Sequence, residues 1–168
     1  MKKILAGILV AFACASAGAQ EQIIVAATQS LSTSGFLSYI GALARAGADV
    51  AIQWDAAENG QVIQLARECG VDAILASAPA EEEQLVRDGV GALRLRVMTG
   101  GSGEQFDVIA VNPGACPTTR LDAALKFARW ITSEKGQAVI AAFSQRDGAV
   151  AYHPNAGTET CPACEAQQ

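Results

Sequence analysis

Histidine is all but missing from this sequence, with His153 the single instance in 168 residues. Around this one histidine no Ser-His-Asp arrangement or metal-ligand spacing presents itself, so a hydrolase and a catalytic metal centre are the weaker readings. His153, beside Pro154, reads as structural or exposed. Positive charge is short as well: 12 Lys and Arg stand against 17 Asp and Glu, for a net charge of −5. An acidic chain repels polyanions, which sets aside nucleic acid and anionic membrane surfaces as partners. It also gives a small anion no long-range steering, so an oxyanion site here must work through local donors. Gly100-Gly101-Ser102-Gly103 is glycine-rich but lacks the Lys-Ser/Thr pair of a phosphate-binding loop. The expectation is a non-enzyme without a cofactor.

The conspicuous apolar run lies at the N-terminus. Lys2 and Lys3 form a basic start, Ile4 to Ala13 an apolar segment, and Ala17-Gly18-Ala19 a small-residue cleavage site. This reads as a secretory signal peptide (1–19), too short for a stable membrane anchor. Cys14 raises a lipoprotein alternative, but Phe12-Ala13 is a poor approach to a lipidated cysteine. Cleavage after Ala19 leaves 149 residues, about one domain, at a net charge of −7 because two lysines and no acid depart. The expected product is periplasmic and soluble, with no membrane insertion after cleavage.

Four cysteines follow: Cys69, Cys116, Cys161 and Cys164. In an oxidising compartment they point to disulfides, with three pairings open. Cys161-Pro162-Ala163-Cys164 is also compatible with a thiol-redox protein. A low-pKa thiol normally sits at a helix N-terminus, however, and no helix pattern follows this pair. A local disulfide or an unstructured polar tail (157–168) is the favoured reading.

What is present in quantity is alternation. Ile23, Ile24 and Val25 read as a buried strand that breaks into a hydroxyl-rich turn with Thr28, Ser30, Ser32, Thr33 and Ser34. Phe36, Leu37, Ile40, Leu43 and Ala44 then recur at helical spacing. A strand ending in hydroxyls and feeding a helix N-terminus suits a small oxyanion; the alternative is a turn that merely caps the helix. Ala48–Trp54 predicts a second strand and Val62–Ala66 a second helix ending at Cys69-Gly70, with Gly70 as its cap. Val71–Ala76 predicts a third strand, and Pro79 onward a helix whose Glu81-Glu82-Glu83 reads as a solvated first turn. Ala92–Thr99 and Phe106–Asn112 predict two further strands, and Leu121–Ile131 and the stretch from Ser133 two more helices. Beyond Ser144 the chain turns polar. Such alternation predicts βαβ units and a parallel sheet, with ligands at the carboxyl ends of the strands. Thr28 to Ser34, Ala57 to Gly60 and Ser77 to Pro79 would then share one rim.

In these residues the chain resembles the substrate-binding proteins of tungstate/molybdate-type ABC transporters, which have the class II periplasmic-binding-protein fold. Thr28-Gln29-Ser30 and Ser34-Gly35-Phe36-Leu37 are similar to the family's Thr-Thr-Ser turn and Ser-Gly-Leu-Leu. Glu58-Asn59-Gly60-Gln61 stands at its Gly-Thr-Gly-Gln loop, and Val71 to Pro79 at its Ala-Asp-Val-Leu-Leu-Val-His-Ala-Pro strand. Val108 to Pro113, Phe127 to Gln137 and Tyr152 to Ala156 resemble its return strand, last helices and closing Phe-Pro-Asn segment. The resemblance implies a three-layer α/β/α sandwich over residues 20–156, with a mixed, mostly parallel five-stranded sheet carrying one antiparallel strand. It implies oxyanion contacts from Thr28, Ser30, Ser32, Thr33, Ser34, Asn59, Gly60 and Ser77, and a transporter permease as partner. It also implies a disulfide between Cys69 and Cys116, at the same edge of the sheet.

The departures are as informative. The family has two lobes enclosing the ligand, whereas here Val97-Met98 is followed within about ten residues by the return strand. The resemblance therefore implies a single lobe without the second lobe's anion-contacting arginine. Gln29 replaces a hydroxyl, and Glu58 stands where the family keeps a neutral residue. A carboxylate 4 Å from an anion costs about 1–4 kcal/mol per charge pair between water-like and near-surface dielectrics. An open half-cleft leaves the anion hydrated, so weak or lost tungstate binding is expected. The uncovered rim would be free for a protein partner, including a homodimer.

Overall fold

The computed structural model describes residues 20–146 and 150–157. The expected signal peptide and the Cys161/Cys164 pair lie outside the described residues. Six strands form one sheet: β1 (Glu21–Thr28), β2 (Val50–Ala57), β3 (Ala73–Ala76), β4 (Gly91–Gly100), β5 (Gln105–Val111) and β6 (Tyr152–Pro154). The helices are α1 (Gln29–Thr33), α2 (Phe36–Gly47), α3 (Asn59–Arg67), α4 (Pro79–Arg87), α5 (Leu121–Thr132) and α6 (Glu134–Ser144).

The strand order is β2-β1-β3-β5-β4-β6. β1 runs parallel to β2 and to β3, while β5 is antiparallel to β3 and β4, and β6 to β4. The class expected from the sequence is therefore present, with one strand more than five and two strands, β5 and β6, opposed to the other four. β6 escaped notice because it spans three residues within a polar stretch, with no periodicity to read. It is held at the edge by Tyr152, whose backbone N–H donates to Ser144 Oγ and whose carbonyl accepts from it.

Alternation along each strand sorts the core into two layers. Ile23, Val25, Ala27, Leu75, Val108 and Ala110 face α2, α5 and α6, while Ala26, Ile74, Ile109 and Val111 face α3 and α4. This is the α/β/α sandwich, dry on both faces as mostly apolar strands require. The helix ends follow local chemistry. Gly35, at φ 79°, makes the left-handed turn between α1 and α2 that a side chain would resist. Ser133 Oγ accepts from Gly136 N at the start of α6. At the end of α3 the left-handed residue is Cys69 (φ 60°), and Gly70 N donates to Leu65 O. The capping glycine foreseen at 70 thus stands one place after the residue that makes the turn.

Candidate functional site

The parallel arrangement brings the carboxyl ends of β1, β2 and β3 to one edge of the sheet. Thr28 ends β1 and pairs with Ala57 at the end of β2. The loops after β2 and β3 touch through Asn59, whose Nδ2 donates to Ser77 O at 2.9 Å and whose Oδ1 accepts from Ser77 N at 3.3 Å. The four-residue turn joining β4 to β5 lies at the same edge, because Thr99 pairs with Gln105. The three sequence-predicted loops and this hairpin therefore share a rim.

Asn59 and Ser77 satisfy each other beside α3 and α4, and Gly60 is exposed in the first turn of α3. Thr28 is buried at the strand end, 3.5 Å from Ser30 Oγ. Ser30, Thr33 and Ser34 line a cavity of about 320 Å³, faced by Gly100, Gly101, Ser102, Glu104 and Phe106 of the hairpin and by Val150 and Tyr152. Ser32 does not line it.

Apart from Ser30, whose Oγ lies 3.5 Å from Thr28 Oγ1, the hydroxyls around this cavity give their protons to neighbouring oxygens. Thr33 Oγ1 donates to Gln29 O and Ser30 O, Ser34 Oγ to Leu31 O, and Ser102 Oγ to Glu104 Oε2 at 2.7 Å. A carbonyl or carboxylate oxygen can only accept, so these directions are fixed by the partners. Ser34 having spent its proton on Leu31, Tyr152 must donate its own to Ser34 Oγ at 3.0 Å. What Thr33, Ser102, Tyr152 and Glu104 offer a ligand is lone pairs and a carboxylate. Hydrogen bonds, first from the Ser102 hydroxyl, hold Glu104 below its ordinary range and keep it anionic. Burial, with Glu104 adding to it, raises the Tyr152 phenol, which stays neutral. Tyr152, Ser102 and Glu104 were not among the residues singled out from the sequence. The glycine-rich stretch Gly100-Gly101-Ser102-Gly103 carried no motif, and only the fold places it opposite the hydroxyl turn.

The acidic run at α4 is not wholly solvated. Glu81 and Glu83 are exposed, but Glu82 is buried at 1%. Its Oε1 accepts from Ala78 N at 2.8 Å, taking up a rim donor, and its Oε2 pairs with Arg94 at 2.9 Å. Arg94 also pairs with buried Asp107 at 2.7 Å. One guanidinium between two carboxylates leaves room for one proton. Burial foremost, followed by the charge of Asp107, pushes Glu82 from its ordinary 4.5 to about 7, against the lowering by Ala78 N–H and Arg94. A folded pKa above the unfolded one means the stabilisation is full below pH 4.5 and lost as pH rises through 7. The melting temperature should therefore fall between pH 5 and pH 8, by on the order of 1–3 kcal/mol of stability. Glu82→Gln, which keeps an acceptor for Ala78, should flatten that slope; equal slopes in both proteins would refute the assignment.

Among the described residues no group of three or more His, Cys, Asp or Glu is placed to hold a metal ion. No described helix is long and apolar enough to cross a membrane.

A three-layer lobe with this sheet, its helices and its strand-end rim is the architecture of periplasmic-binding-protein-like domains. Solved structures with the same fold include the tungstate-binding protein TupA from Desulfovibrio alaskensis G20, at 17% identity and a TM-score of 0.74, covering 82% of this chain and 100% of that one. The tungstate ABC transporter from Geobacter sulfurreducens is similar at 15% identity and a TM-score of 0.69, covering 75% of this chain and 100% of that one. A substrate binding domain assigned to a molybdenum ABC transporter from Clostridium difficile follows at 10% identity and a TM-score of 0.58, covering 80% and 99%. At such identities the likeness is one of fold. No family model matches the sequence, and no curated protein does.

Proposed function

We propose that this chain is an exported, non-enzymatic module of the solute-binding-protein type, related to tungstate and molybdate ABC transport, whose oxyanion site is incomplete. It captures tungstate and molybdate weakly or not at all, and its open rim is left to meet a transporter permease or another protein. The observation that carries this reading is that the hydroxyl protons of Thr33, Ser34, Ser102 and Tyr152 are given to neighbouring oxygens and not to the cavity. An oxyanion needs donors, each charge-assisted bond contributing about 1.5–3 kcal/mol, and the lining side chains offer acceptors and a carboxylate. The pairing of Asn59 with Ser77 and of Glu82 with Ala78 N removes further rim donors. The fold supports descent from a solute-binding lobe. A protein partner at this rim would meet a polar surface, since Val150 is the one exposed large hydrophobic residue among those described.

Calorimetry of the purified protein with tungstate, molybdate, sulfate and phosphate tests the reading. No measurable heat with any of the four is the expected result. Tungstate retained tightly by a lone protomer would overturn it.

A further inference from the structure

We propose that the cavity between α1 and the β4–β5 hairpin binds a small organic cation carrying N–H donors, a primary ammonium compound, in place of an oxyanion. The inference deepens the solute-binding reading above and rests on it for the idea that this end of the lobe meets a small solute.

Ser102 and Tyr152 have each given their single hydroxyl proton to a neighbouring oxygen, as have Thr33 and Ser34. Ser34 Oγ is filled, accepting from Tyr152 and from Phe36 N, but Thr33, Ser102 and Tyr152 retain lone pairs, and a group with several protons to donate is what such a lining can satisfy. An ammonium carries three donors and no acceptor. Among the lining residues Glu104 supplies the charge; Arg and Lys are absent from the lining, so nothing there repels a cation. The carboxylate is held in place rather than swinging free: Ser102 Oγ binds Oε2, and the carboxylate lies against Gly100, where an added Cβ would come within 2.7 Å of it. The floor is aromatic. Phe106 and Tyr152 are both buried and pack edge to face at 5.8 Å between ring centroids. Tyr152 is itself packed against Phe36 and Phe143, so what the two rings offer is an apolar wall for the methylenes attached to the ammonium. A volume of about 320 Å³ accommodates an amine of a few carbons, and this apolar floor favours it over a bare metal ion, for which one carboxylate is a poor ligand set. Glu104 is exposed, so the affinity is modest and falls with added salt.

The test is a titration of ¹⁵N-labelled protein with ethanolammonium chloride, against sodium chloride at equal ionic strength, with a parallel tungstate arm. The expected result is amide shifts at Ser30, Ser34, Ser102 and Tyr152, and nuclear Overhauser contacts from the ligand methylenes to the Phe106 and Tyr152 rings. Glu104→Gln should weaken binding about two- to fivefold, the range of an exposed charge pair. The ring contacts in the wild-type protein carry the test by themselves if that variant does not fold. Absence of shifts and contacts, or shifts that Glu104→Gln leaves unchanged, would overturn the proposal, as would tungstate shifting these same residues. Tungstate bound instead at Asn59 and Gly60, with ethanolammonium still at the cavity, would defeat the loss of oxyanion capture and support the cation site.

Discussion

Arg94→Leu is expected to destabilise the fold by about 3–5 kcal/mol at neutral pH, the largest effect of any single substitution considered. Arg94 is the cation between Glu82 and Asp107, at 2.9 and 2.7 Å, and both carboxylates are nearly devoid of solvent contact, with 1% and 4% of their side chains exposed. Removing the guanidinium leaves two buried acids with one proton to share and no positive charge beside them. The melting temperature should drop by roughly 10 °C or more, given about 2–4 °C per kcal/mol for a domain of this size. The loss should shrink at pH 5, where Glu82, pushed up to about 7 by burial, is protonated and one buried charge fewer is left unpaired. Replacing the whole trio, Glu82→Gln with Arg94→Leu and Asp107→Asn, should recover most of the stability, because breaking a buried pair is worse than removing it. Urea unfolding at pH 5 and pH 7.5 checks this. An Arg94→Leu midpoint within experimental error of wild type at both pH values would show that the trio is not an electrostatic unit.

That trio also marks where the sequence stops being legible. The alternation of Leu93, Leu95 and Val97 with Arg94 and Arg96 announces a strand with one apolar face. It does not announce that Arg94 lies beneath α4, because the partner that covers it comes from another element. The triplet Glu81-Glu82-Glu83 likewise reads as a solvated first turn, correct for the outer two and wrong for Glu82, which the helical 100° step turns inward. By contrast, β1, α2, β2, α3 and β3 follow from local pattern alone. Parallel pairing then places the ends of β1, β2 and β3 together by necessity. The rim was thus readable from the sequence, but its chemistry was not. Residue types along Thr28 to Ser34 tell how many hydroxyls are present, and only three-dimensional neighbours such as Leu31 O, Glu104 and Tyr152 decide which way their protons go. Short elements were lost for the same reason: α1 has five residues and β6 three, too few for a period to show.

Reduction of the Cys69–Cys116 disulfide should cost about 4 kcal/mol, as the chain-entropy model gives for a closed loop of 47 residues. The bond ties the turn after α3 to the segment after β5, with Cα atoms 5.2 Å apart, and Cys116 is buried under α3. Freed, the unfolded chain regains the configurations that the loop forbids, while the folded state keeps β3 against β5 through their own ladder. The expected reading is a urea midpoint well below that of the oxidised protein in the presence of a reductant, and the same midpoint for Cys69→Ala/Cys116→Ala without one. Coincident oxidised and reduced unfolding curves would remove the bond as a source of stability. Because it lies at the amino end of β3, opposite the rim formed by the carboxyl ends, cutting it should leave ligand titrations at the α1–hairpin cavity unchanged wherever the protein remains folded. A shift in those titrations on reduction would mean that the two ends of the sheet are coupled, which a rigid sandwich with separate cores does not predict.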